Sequence, residues 1–284
     1  MHKCQGNRSK GGGGLYGDSN SFARAIGCDI SNNQHSNSTA QASATVEIHN
    51  CQCNNSSSGS GLAVYHSNSY ANASSSCFCD NQHNVTARDG AKVELRSCQC
   101  NDSKSQCGMA VLGFNSCATA VSCSFCSNQT NVSAKYGGTV ELHDTKCDES
   151  KDGSGLAVLR GSSANASSCT INSNQEANVF AQGKVELREC QCNSSKGGGG
   201  LTVTHGGSAK ANACSLSRNY GSNVQVEDGG GVARLFHCRC NGSKHGWGIK
   251  GNFCGSRVTA HSSTAAGNHL GGRYPSVFVL CRQM

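Results

Sequence analysis

One fourteen-residue stretch, CQCNSSKGGGGLTV from Cys190 to Val203, recurs along the chain. It returns as CQGNRSKGGGGLYG from Cys4, CQCNNSSSGSGLAV from Cys51, CQCNDSKSQCGMAV from Cys98, TKCDESKDGSGLAV from Thr145 and CRCNGSKHGWGIKG from Cys238. Successive copies start 47, 47, 47, 45 and 48 residues apart. A fixed period of this length specifies a solenoid, propeller or array, since each repeat buries its apolar face only against its neighbours. Between the copies lies a related unit: CDISNNQ at Cys28, CFCDNQ at Cys77, CSFCSNQ at Cys123, CTINSNQ at Cys169, CSLSRN at Cys214 and STAAGN at Ser263. The coil is therefore about half the long period, and about twelve coils of two alternating types are expected.

Each coil reads as three short strands. The first is Leu62-Ala63-Val64, matched at Leu15, Met109, Leu156, Leu201 and Ile249, and in alternate coils by NVTA, NVSA and NVFA at Asn84, Asn131 and Asn178. The second is Val93-Glu94-Leu95, matched at Val46, Val140 and Val185, with Ala118 and Ala120 or Ala164 and Ala166 as the inward pair of alternate coils. The third is the Cys-x-Cys segment. Apolar residues at i and i+2 share one face of a strand, here the inside of the coil, and glycines in RDGAK from Arg88 and KYGGT from Lys135 mark turns.

The cadence from Asn193 to Val203, an Asn, small residues, then Gly-Gly-Leu-x-Val, resembles that of the pectate-lyase-like superfamily. The resemblance implies a single-stranded right-handed parallel β-helix covering residues 1–268, with the apolar end YPSVFVLCRQM inside a C-terminal strand or cap at 269–284. It is specific for fold and not for reaction, because the superfamily includes lyases, hydrolases, epimerases, adhesins and phage tailspikes.

The 21 cysteines require an account. A main column runs Cys4, Cys28, Cys51, Cys77, Cys98, Cys123, Cys169, Cys190, Cys214 and Cys238, interrupted at Thr145. A second, two residues on, mixes Cys53, Cys79, Cys100, Cys147, Cys192 and Cys240 with Ile30, Ile171 and Leu216. Exchange with Ile and Leu implies buried, reduced core thiols rather than zinc ligands or inter-coil disulfides. The first ten residues carry no apolar signal-peptide core, and no apolar run is long enough to span a membrane. Reduced thiols favour an intracellular location. Sequons such as Asn84, Asn131, Asn165 and Asn193 leave secretion open should the N-terminus be truncated.

Two outward columns are candidates for binding. Glu47, Glu94, Glu141 and Glu186 repeat on the second strand beside His49, Arg96, His143 and Arg188, with Arg24, Asn72, Thr119, Asn165 and Lys210 between them. Lys10, Lys104, Lys151, Lys196 and Lys244 each sit in an Asn/Asp-x-Ser-Lys turn, with Ser57 in their place once. Lysines about 10 Å apart would track an acidic polysaccharide. The net charge of +7 is spread along the chain and hints at an anionic partner without demanding one; no nucleic acid is expected, and a protein is the other candidate.

Catalytic motifs are sparse. Glycoside hydrolysis needs two carboxyl groups facing across about 5 to 9.5 Å, whereas the repeating glutamates lie two coils apart. The densest acidic group is Asp144, Asp148, Glu149 and Asp152, where the cysteine column breaks; Asp144, Asp148 and Asp152 are the candidate metal ligands, for calcium if any cofactor is used. Three function classes follow. The first is a noncatalytic β-solenoid that binds or scaffolds through an outer sheet face, the second a polysaccharide lyase or glycoside hydrolase. The third, ice or crystal-surface binding, rests on the small outward residues Ala63, Thr86, Ala110, Ser133 and Ala157.

Overall fold

The computed structural model describes residues 5–6, 8–9, 12–227, 229–251 and 255–272. Among these every regular element is a β-strand, and the chain divides into two units, Met1–Lys146 and Cys147–Met284. Each is a parallel β-solenoid. The N-terminal unit stacks six coils and the C-terminal unit five, slightly fewer than the expected twelve. Most of the expected cap at 269–284, and Lys10, lie outside the described residues.

Each coil contributes one strand to each of two parallel sheets. In the N-terminal unit the first sheet runs from Leu15–Gly17 to Thr130–Lys135, and the second from Phe22–Ile26 to Thr139–His143. In the C-terminal unit the first runs from Leu156–Val158 to Ile249–Gly251, and the second from Ser163–Ser167 to Arg257–His261. The second and fourth residues of every second-sheet strand from Thr45–His49 onward point inward, as with Val93 and Leu95, both fully buried. The Cys-x-Cys segment forms only isolated parallel bridges, such as Gln52↔Cys77 and Cys77↔Gln99, rather than a third strand. The reason is length: it is pinched between left-handed corners, for example Asn50 (φ 51) and Asn55 (φ 58), which leave four residues of extended chain.

Those bridges correct the cysteine columns. Cys77 pairs with the outward Gln52 and Gln99, so this coil is displaced by one residue. Ser76 and Phe78 take the inward positions, while Cys77 and Cys79 face outward and are half-buried. Phe125 fills the next alternate coil in the same way. The second column is apolar throughout, pairing small Cys53 and Cys100 with bulky Phe78 and Phe125 so that successive layers fill one another's space. The first column is different. Its S–H groups donate to the carbonyl two residues back, Cys51 to His49 at 3.2 Å and Cys190 to Arg188 at 3.3 Å. Ser76 and Thr145 make the same bond at 2.8 Å. Thr145 therefore continues the column, which selects a small side chain with a donor.

Buried asparagines line the turn that leads into the first sheet. Asn81 Oδ1 accepts from Asn37 Nδ2 at 2.9 Å and from the Ser56 N–H at 2.8 Å, and Asn84 Nδ2 donates to Asn128 Oδ1 at 2.9 Å. In the C-terminal unit Asn178 Nδ2 donates to Asn219 Oδ1, and Asn223 Nδ2 to Asn268 Oδ1. Asn84 and Asn131 are fully buried, so those sequons are closed to glycan in the folded chain. Of the small column proposed for ice, Ala63, Thr86, Ala110 and Ser133 are at most 5% exposed, while Ala157 is half-buried.

Candidate functional site

The outward residues of the second sheet divide the molecule by charge. In the N-terminal unit Arg24, Lys92 and Arg96 face Glu47, Glu94 and Glu141, and the set is neutral. Much of it is internally paired. Arg24 Nε lies 3.3 Å from Glu47 Oε2 and Lys92 Nζ 2.7 Å from Glu94 Oε1. Lys92 holds the Glu94 carboxyl below its usual range, while burial and a hydrogen bond with Glu94 push Tyr70 up to about 12. For this unit the glutamate column is a solvated ladder, each exposed pair worth under about 1 kcal/mol.

The C-terminal unit breaks that balance. Lys184, Arg188, Lys210, Arg234 and Arg257 project from its outer face against Glu186 alone. Lys184 takes that carboxylate at 2.8 Å and holds it below the usual range. Lys210 and Arg234 are direct partners on adjacent strands, about 4.8 Å apart along the stack. Like charges so placed repel and cost stability, and an anion bound across them would relieve the cost. Lys210 Nζ also lies 6.0 Å from the Phe236 ring centroid, and Phe236 stacks on His261 with centroids 5.1 Å apart and planes 9° from parallel.

Three shallow hollows join along this face. One of about 300 Å³ is lined by Lys184, Lys210 and Arg234, and one of about 350 Å³ by Lys210, Asn212, Phe236 and His237. A third, of about 550 Å³, shares His237 and continues round the corner to Arg218 and Arg239. The corner is set by His237, whose left-handed φ of 53 turns the chain out of the sheet. The hollows are open and each is net basic, although Glu186 and Glu189 line two of them, and Phe236 lines the middle one.

The other sequence candidates have structural assignments. Lys104 Nζ donates to Asn55 Oδ1 at 2.7 Å and to the Ser56 carbonyl at 3.0 Å, so it ties coils together. Lys151, Lys196 and Lys244 are exposed in the C-terminal unit. Asp148 occupies the position of Asn54, Asn101 and Asn193: its Oδ1 accepts the Asn172 N–H at 2.6 Å, as Asn193 accepts that of Ser217 at 2.7 Å. Asp144 and Glu149 are left-handed corner residues with φ of 49 and 59, and Asp152 is exposed in a bend. Among the described residues no three His, Cys, Asp or Glu side chains converge to hold a metal ion. Asp148 thus makes in this coil the bond that Asn makes in the others.

Arg234, Phe236, Arg257 and His261 were not among the sequence candidates. The signal was present: VARLF at 232–236 stands where KVELR stands at 184–188, which replaces the column's glutamate by arginine.

No protein-family model matches the chain, and no curated protein sequence matches it. Among solved structures it is similar to the A-module of mannuronan C-5 epimerase AlgE4 from Azotobacter vinelandii. The TM-score is 0.72 at 11% identity, covering 98% of this chain and 89% of that one, which is a likeness of fold. ORF18 of Geobacillus virus E2 aligns with a TM-score of 0.42 at 9% identity, over 96% of this chain and 55% of the other.

Proposed function

We propose that this chain is a noncatalytic β-solenoid that binds an acidic polysaccharide along the basic face of its C-terminal unit. The observation that carries the reading is a change of charge along one outward column, where the series Glu47, Glu94, Glu141 and Glu186 ends in Arg234, set directly beside Lys210 and the Phe236–His261 stack. Guanidinium groups bind carboxylates in paired hydrogen bonds, and an aromatic face accepts the C–H side of a sugar ring. A fold shared with a protein named for its action on mannuronan, a polyuronate, supports the choice of polymer.

The test is calorimetric titration with polymannuronate and with a neutral polysaccharide of equal length. Binding is expected for the first alone. Replacing Lys210 and Arg234 together by Ser removes two exposed charge contacts and weakens binding by about 5- to 30-fold, or about 1–2 kcal/mol. Lys196→Ser with Lys244→Ser leaves it within about twofold. The opposite pattern would move the polymer to the turn lysines. Shortened or epimerised polymer after incubation would replace the binding reading by an enzymatic one.

A further inference from the structure

The one-residue displacement in the coil at Ser76 turns two thiols outward where the coils on either side carry Gln52 and Asn54 or Gln99 and Asn101. Residues i and i+2 of an extended segment share a face, and the Cys77 and Cys79 sulfurs lie 3.1 Å apart in a hydrogen bond. Both residues are half-buried, whereas the thiols of the inward columns are closed off in the core. The segment is held from both sides: the Cys79 N–H donates to Asn54 Oδ1 at 2.7 Å, and the Asn101 N–H donates to Cys79 Sγ at 3.4 Å.

We propose that Cys77 and Cys79 are a reversible dithiol–disulfide pair that exchanges with low-molecular-weight disulfides. The Cys77 thiolate, having released its proton to water, attacks one sulfur of the small disulfide. The small S–S bond breaks, one small thiolate leaves and takes up a proton, and a mixed disulfide remains on Cys77. Cys79 then loses its proton and attacks Cys77 Sγ. A second small thiol departs, leaving the Cys77–Cys79 bond; the protein has lost two hydrogens, and one small disulfide has become two thiols. Closing the pair needs the sulfurs to approach by about 1 Å, to the roughly 2.05 Å of a disulfide. The order of attack follows the electrostatics. The hydrogen bond shared with Cys79 pulls Cys77 down to about 7, while the same contact raises Cys79.

The experiment treats the folded, reduced protein with oxidised glutathione and maps the products by mass spectrometry. The expected product is the peptide spanning Cys77 and Cys79 with two hydrogens lost and no glutathione retained, reversed by dithiothreitol. Cys79→Ser is expected to stop at a glutathione adduct on Cys77. In Cys79→Ala, which removes the hydrogen bond as well, Cys77 should react with iodoacetamide at pH 7 about fivefold more slowly than in the wild type, because the wild type's larger thiolate fraction outweighs the lower nucleophilicity of a low-pKa thiol. Stable separate adducts on both residues of the wild type, or reaction at Cys117 or Cys126, the other two half-buried thiols among the described residues, with none at the pair, would overturn the proposal. The wild-type mapping decides this even should the variant not fold.

Discussion

At the residue scale, side chains of one type do different work depending on which way one position of the coil points. Cys51 and Cys53 are two residues apart and both buried, yet the first satisfies the carbonyl before the corner and the second meets the Ser38 hydroxyl at 3.6 Å inside the core. His83 shows the same dependence on surroundings. It takes the Cys107 N–H on Nδ1 at 3.4 Å, and burial, helped by the charge of Lys135, depresses it to about 4. In the unfolded chain the same histidine titrates near about 6.5. Between those values the unfolded state takes up a proton that the folded state refuses, so stability falls as pH drops through the window and is fully present above it. Urea unfolding of the wild type is expected to lose about 2–3 kcal/mol more between pH 7 and pH 4 than that of His83→Gln. Equal losses would show that His83 is as readily protonated folded as unfolded.

At the element scale, the turn between the Cys-x-Cys segment and the first sheet is held by amides rather than by apolar burial. Asn219 uses all of its capacity: Oδ1 accepts from Asn178 Nδ2 at 2.9 Å and the Ser195 N–H at 3.0 Å, while Nδ2 donates to the Cys192 carbonyl at 3.2 Å and to Asn223 Oδ1 at 2.9 Å. Asn219→Ala leaves several buried partners unmet and is expected to cost about 3–5 kcal/mol, read from chemical denaturation. Asn165→Ala, on the exposed face, should cost under about 0.5 kcal/mol. The sequence displayed Asn84 and Asn131 of the equivalent turns as sequons like Asn165, because an Asn that faces solvent and one that bonds across two coils are the same letter.

At the scale of the whole molecule, a net charge of +7 is a poor guide, because on the second sheet opposite charges pair in one unit and positive charge accumulates in the other. If the basic face of the C-terminal unit holds an acidic polymer, its affinity depends on unscreened charges several ångströms apart. Raising ionic strength from 0.05 to 0.5 M shortens the Debye length to about 4 Å, and affinity for polymannuronate is expected to fall by at least about tenfold in titration. An affinity unmoved by salt would place recognition on apolar and neutral contacts.

The repeat period and the i, i+2 alternation were enough to determine the parallel solenoid, its two alternating coil types and the inward residues of both sheets, since these depend on local spacing alone. The turn register decided the rest. A displacement of one residue at Ser76 reversed which side chains face outward, a left-handed corner placed Asp144, and a hydrogen bond from the Asn172 N–H placed Asp148. Stacking alone placed Lys210 beside Arg234 and Phe236 beside His261, because residues about one coil apart in sequence become neighbours only when the backbone bonds of successive coils bring them level.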